Sequence, residues 1–368
     1  MTDSNVDYRI TFSETKAIKG VAICAMLWHH LFFENHEYGE TSFKLALTCK
    51  ICVSIFVFLS GYGVATQFKK VNLSGEMFFK CLNIVKFLIR RYVKFYLNYW
   101  VIFFVSVPLG VLVFGRTLEF AYGTESNLVV SFVQDALGLK GFNSYNVTWW
   151  FNRLILVLWI IFPMLYWMLN SKFVCIWTLL LLLVNPGNVL NFLNLWTSGL
   201  AYYIPTFAVG IFVAAHIEEI NRIMNKINRY IVLAISIIFL MMLLYMRNHY
   251  VLYCFLGIKG DPFTMVFLSL AVVSVCRLTK CKLSVMTFLG KHSMNMYLMH
   301  TFIFAYFFHD FIYGFRFPML IFLALLLTSL LLSVTLEFFK EKLRFYRLQQ
   351  KMILFLTENR CFADAKRS

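Results

Sequence analysis

Ten apolar stretches recur along this chain at the length a helix needs to cross a bilayer, and that recurrence restricts the fold more than any other feature. An α-helix rises about 1.5 Å per residue, so roughly 17–25 apolar residues cover the hydrocarbon core. The stretches are residues 17–34, 43–66, 95–115, 149–168, 174–193, 201–217, 230–247, 262–278, 284–308 and 318–338. Lipid offers no hydrogen bonds to a bare backbone, so a spanning segment is a helix or part of a closed barrel. Only 6 Pro and 17 Gly leave little room for a loop-rich or all-β chain. The reading is an all-α integral membrane protein with about ten transmembrane helices, one domain over residues 1–368. The first stretch carries His29 and His30 and is followed by no small-residue cleavage site, so it reads as a span, not a cleaved leader.

Charge sets the expected orientation, because Lys and Arg concentrate on the cytoplasmic side. With the N-terminus inside, 25 of the 34 basic residues fall in inner segments and 5 in outer ones. Both termini are then cytoplasmic, and residues 340–368 form a basic cytoplasmic tail. Its stretch Lys340–Lys351 reads as a basic amphipathic helix held against anionic lipid, and residues 127–138 as an amphipathic helix along the outer interface. The net charge of +16 therefore points to membrane lipid as a partner, not nucleic acid. The expected location is the cell (cytoplasmic) membrane, as a multi-pass protein. Cys49 and Cys52 form an isolated C-x-x-C inside a span and read as packing, and no metal site is expected.

Ionisable groups inside spans are costly and ask for a reason. In the first stretch, His30 follows Lys19 by eleven residues, three helical turns plus about 20°. The two share a face, separated by roughly 16 Å along the axis. His29 points about 80° away. Glu34, one turn past His30, is placed to accept an N–H from its imidazole. Lys19 also reads as a cation snorkelling to inner head groups, and a span histidine as a hydrogen-bonded packing residue.

The segment from Lys19-Gly20-Val21-Ala22-Ile23 to His30 resembles the opening of the acyltransferase-3 family of membrane-bound O-acyltransferases: a basic residue, ten positions, a histidine. Phe56-Val57-Phe58-Leu59-Ser60-Gly61-Tyr62-Gly63 resembles that family's second-span signature. Arg91-Tyr92-Val93-Lys94 is similar to its R-x-x-R. Trp149-Trp150-Phe151 is similar to its tryptophan-phenylalanine pair. Gly290 to His300 resembles its late G-x-x-S-x-x-x-Y-L-x-H element. The pieces occur in order over nearly the whole chain. Two depart from the pattern: Lys94 replaces the second arginine, losing the bidentate fork that suits phosphate, and Leu97 stands where a proline is common.

The resemblance implies an O-acyltransferase that moves an acyl group, acetyl by default, from cytosolic acyl-CoA to a hydroxyl of an exported, cell-surface or lipid-linked glycan. Acyl-CoA is then the donor substrate, with no permanently bound cofactor. His30 would act as general base, oriented by Glu34. Lys19, Arg90, Arg91 and Lys94 would face the donor's phosphates. Ser60, Trp150, Ser293, Tyr297 and His300 would line the substrate path, the last three sharing one helix face at i, i+4 and i+7. Interhelical hydrogen bonding is the competing reading of Ser293 and Tyr297, and close helix approach that of Ser60 beside Gly61. A transporter or flippase of lipid-linked glycan is the alternative function, and an envelope scaffold the third. Against a carrier stand the absence of an internal repeat and of span carboxylates other than Glu337.

Overall fold

A computed structural model describes residues 6–124, 126–171, 174–176, 178–179, 201–248, 250–279 and 283–358. Every regular element among them is helical. In chain order these are α1 (Phe12–Phe32), α2 (Glu40–Cys49), α3 (Cys52–Phe68), α4 (Met77–Leu112), α5 (Leu118–Tyr122), α6 (Leu128–Ala136) and α7 (Trp150–Asn170). There follow α8 (Ile204–Ala215), α9 (Ile217–Met224), α10 (Arg229–Asn248), α11 (Tyr250–Thr279), α12 (Ser284–Thr301), α13 (His309–Tyr313), α14 (Pro318–Lys342) and α15 (Phe345–Glu358).

Six helices among the described residues are long and apolar enough to cross a membrane: Glu40–Phe68 taken through the α2–α3 junction, Met77–Leu112, Val147–Asn170, Arg229–Arg247, Gly260–Leu278 and Pro318–Lys342. They coincide with the second, third, fourth, seventh, eighth and tenth expected spans. The sixth holds only the short apolar α8. The first and ninth form α1 and α12, whose lysines and histidines dilute the apolar surface. The fifth lies mostly outside the described residues. The third helix starts well before its expected span, so Arg90, Arg91 and Lys94 are part of the same helix that continues into the apolar run.

The chain divides into two compact units, Met1–Gln67 with Ile161–Ser293, and Phe68–Ile160 with Met294–Ser368. In the first, α1 opens on a capping box: Glu14 N–H donates to the Thr11 hydroxyl, and the Glu14 carboxylate accepts the Thr11 N–H at 2.8 Å. Two glycines then bring α1 against α12. A Cβ at Gly20 would overlap the Met286 carbonyl oxygen, and one at Gly290 the Lys16 carbonyl oxygen. Gly61 and Gly210 do the same for α3 and α8, meeting the backbone at Phe207 and Phe58. The expected close approach at Ser60-Gly61 is therefore made by the glycine.

Two charges in this unit correct the sequence reading. Arg247, one of the five basic residues counted with the outer segments, lies in α10 and is 4% exposed. Its Nε sits 2.7 Å from Oδ1 of Asp261 in α11, which is 1% exposed. Ser54 donates its hydroxyl to the other carboxylate oxygen, and Arg247 Nη1 donates to the Leu47 carbonyl at 3.3 Å. Glu337 is thus not the only carboxylate within the spans. Hydropathy alone does not register that an opposite charge elsewhere makes burial tolerable.

In the second unit, α4 packs against α15. The basic stretch expected as one helix from Lys340 is broken: α14 ends at Lys342, Arg344 takes a left-handed φ of 54°, and α15 begins at Phe345. Lys340 does not face lipid. Its ammonium is buried, 2.9 Å from Glu337 Oε1 and 2.9 Å from Asn98 Oδ1. The amphipathic stretch at 127–138 contains α6, capped by the Asn127 side chain. Asp135 on its inner face accepts the Tyr122 hydroxyl at 2.9 Å and the Tyr145 N–H at 2.6 Å. Burial pushes the Asp135 carboxyl up to about 6, against the opposing pull of the Tyr145 N–H, the Tyr122 hydroxyl, Lys140 and the Tyr99 hydroxyl.

Candidate functional site

Helix α1 runs unbroken from Phe12 to Phe32, so the eleven-residue spacing of Lys19 and His30 is helical throughout. Both are half-buried on one face, about 16 Å apart along the axis. The adjacent histidine is committed elsewhere. His29 Nδ1 lies 2.8 Å from the Ala46 carbonyl oxygen in α2. A carbonyl only accepts, so Nδ1 carries the proton of that bond. Nearby, Trp28 Nε1 donates to the Ser42 carbonyl at 3.2 Å. Trp28 and His29 together fix α1 against α2, and the His30 ring lies 5.2 Å from that of His29.

Glu34 does not take the expected place. α1 ends at Phe32 with Phe33 as its cap, so the i, i+4 register stops before Glu34 is reached. Glu34 is exposed and makes no hydrogen bond or ion pair among the described residues. A helix end cannot be timed by periodicity alone when no glycine or proline marks it.

In the second unit, Arg90 and Lys94 are exposed and Arg91 is half-buried. The Arg91 guanidinium lies 4.8 Å over the Trp159 ring and 5.9 Å from that of Phe87. Aromatic faces hold a guanidinium plane without consuming its in-plane donors. Tyr92, next along the helix, donates its hydroxyl to the Leu156 carbonyl at 2.7 Å, fixing α4 to α7.

The expected substrate-path residues are mostly occupied. Ser293 donates to the Gly290 carbonyl at 2.9 Å within its own helix. Tyr297 donates to the Thr148 carbonyl at 2.8 Å. His300 is fully buried, with Nδ1 2.7 Å from the Tyr297 carbonyl and Nε2 3.3 Å from Thr301 Oγ1. Helix-to-helix bonding describes Tyr297 better than lining does. Ser60 is half-buried in α3. Trp150 is half-buried and stacks on Phe142, whereas its neighbour Trp149 is 1% exposed and donates Nε1 to the Leu298 carbonyl at 3.1 Å.

Sequence reading missed Trp159, Asp261 and the Ala46 carbonyl. Asp261 left a signal, as an acid at the very edge of an apolar run. Trp159 and Ala46 left none, because their roles come from packing between segments distant in sequence.

A family model described as an acyltransferase domain matches residues 14–338. No curated protein and no solved structure matches the chain.

Proposed function

We propose, because the chain belongs to the acyltransferase-3 family, that this multi-pass membrane protein carries an acyl group, by default acetyl, from cytosolic acyl-CoA to a hydroxyl of an exported or cell-surface glycan. The observation that carries this reading is α1, which keeps Lys19 and His30 on one face while it commits His29 to Ala46. His30 takes the proton of the acceptor hydroxyl as that oxygen attacks the thioester carbonyl. The carbon–sulfur bond breaks, and the imidazolium returns the proton to the departing thiolate. Lys19 in the first unit, and Arg91, Lys94 and Arg90 in the second, are each assigned to the donor's phosphates; the Trp159 face steadies the Arg91 guanidinium by cation–π contact. Both termini lie in the cytoplasm under this reading, and the protein resides in the cell membrane.

A direct test gives membranes containing the protein acetyl-CoA labelled in its acetyl group. Label should appear on envelope glycan. Equal labelling in membranes lacking the protein would overturn the proposal. The carrier reading gains one observation, the buried Asp261 paired with Arg247, since span carboxylates are what proton-coupled carriers use. Transport of lipid-linked glycan without acyl transfer would favour it.

A further inference from the structure

A cleft of about 600 Å³ opens in the first unit where the starts of α1 and α12 meet the end of α11. The one carboxylate among its described lining residues is already committed. Glu14 completes the capping box of α1 and pairs with Arg277 Nη1 at 2.7 Å. Arg277 also donates from Nε and Nη2 to the carbonyls of Asp7 and Arg9, each at 3.3 Å. That pair is a neutral brace. The remaining charges are Lys16 and Lys291, and neither has a carboxylate partner among the described residues. The Lys16 ammonium lies 4.2 Å over the Phe12 ring.

Hydroxyls complete the lining. Ser284 and Thr287 stand in the first turn of α12, and neither hydroxyl makes a hydrogen bond among the described residues. A helix start also presents unpaired N–H groups and the positive end of the dipole. Phe288, 48% exposed, adds an apolar wall. Gly20 and Gly290, having no Cβ, let α1 and α12 approach closely beside the cleft. Its size falls within the range of clefts that hold small molecules, roughly 300–1,000 Å³.

Two ammonium groups without a carboxylate partner, hydroxyls and a helix start around one space match the chemistry of phosphate. We infer that this cleft binds a phosphate-bearing group, held by Lys16 and Lys291 and completed by Ser284 and Thr287. Neither lysine belongs to the set assigned to the acyl donor, and the inference does not require the transferase reading. A soluble nucleotide and an anionic phospholipid head group both carry the group in question.

The test places the purified protein in nanodiscs of phosphatidylcholine alone or with phosphatidylglycerol. ADP affinity is measured by calorimetry in the first, and retained phosphatidylglycerol by native mass spectrometry in the second. A nucleotide site predicts that Lys16→Gln/Lys291→Gln lowers ADP affinity by about tenfold or more, since each lysine supplies a charge-assisted bond, and that Lys291→Arg preserves it. A head-group site predicts loss of retained phosphatidylglycerol in the same double variant. Ser284→Asp leaves both lysines in place, favours the helix start and repels an anion, so it should repeat the loss. It decides the matter if the double variant does not fold. ADP affinity and phosphatidylglycerol retention both unchanged in the folded double variant, or in Ser284→Asp where that variant decides, would overturn the inference.

Discussion

Replacing Arg247 by Met while keeping Asp261 should destabilise the first unit by about 3–5 kcal/mol, the range for stranding one member of a buried ion pair. Asp261 is 1% exposed and would lose a 2.7 Å charge-assisted bond, keeping only the Ser54 hydroxyl. A carboxylate left so can take a proton. At pH 7 that costs a carboxyl of ordinary acidity about 4 kcal/mol, roughly three pH units at 1.36 kcal/mol each, which caps the loss near the middle of the range. The double variant Arg247→Met/Asp261→Leu removes both charges and should return to within about 1–2 kcal/mol of the parent, because apolar replacement of a whole pair is often near neutral. Unfolding in mixed micelles, followed by helix content against added dodecyl sulfate, measures both. A single variant as stable as the parent, or a double variant no better than the single, would refute the claim that these two charges depend on each other.

Gly290→Leu should prevent accumulation of folded protein in membranes, since its Cβ alone would overlap the Lys16 carbonyl oxygen, whereas Gly63→Ala meets nothing within 4 Å and should be silent; fluorescence size-exclusion profiles distinguish them. Arg91→Ala should weaken acyl-CoA binding by about tenfold, and Lys94→Arg should be tolerated, both read by donor titration. Asp135 gives a pH dependence. Its carboxyl is raised from 3.8 to about 6, so the folded state binds the proton more tightly than the unfolded one. The resulting stability, at most about 3 kcal/mol, is fully present below pH 4 and is lost as pH rises through 6. Asp135→Asn should flatten that part of the pH–stability profile.

How much could be read from residues alone depended on distance along the chain. Apolar length located six of the helices, because hydrophobicity and helix rise are local properties. The phase of Lys19 and His30 was legible for the same reason, and α1 is continuous across it. Glu34 shows where local reasoning stops: one residue past a helix cap, periodicity no longer places a side chain. Arg247 and Asp261 lie fourteen residues apart on two helices, so only packing reveals that they neutralise each other. Lys340 repeats the lesson, since counting it as a basic tail residue ignores Glu337 and Asn98 around it. His29 is the most instructive position. Its commitment to the Ala46 carbonyl is invisible in sequence, yet it separates two adjacent histidines that composition treats alike.

That separation is also the most direct test. Acyl transfer to glycan is measured for His30→Ala and His29→Ala at matched membrane abundance, with acyl-CoA binding measured in parallel. His30→Ala should lose about a hundred- to ten-thousandfold in rate, the usual contribution of a positioned base, while donor binding persists. His29→Ala should retain most of the transfer rate and lose stability instead, by about 1–2 kcal/mol for the hydrogen bond to Ala46. Full transfer by His30→Ala, with His29→Ala inactive though folded, would contradict the assignment of His30 as the base.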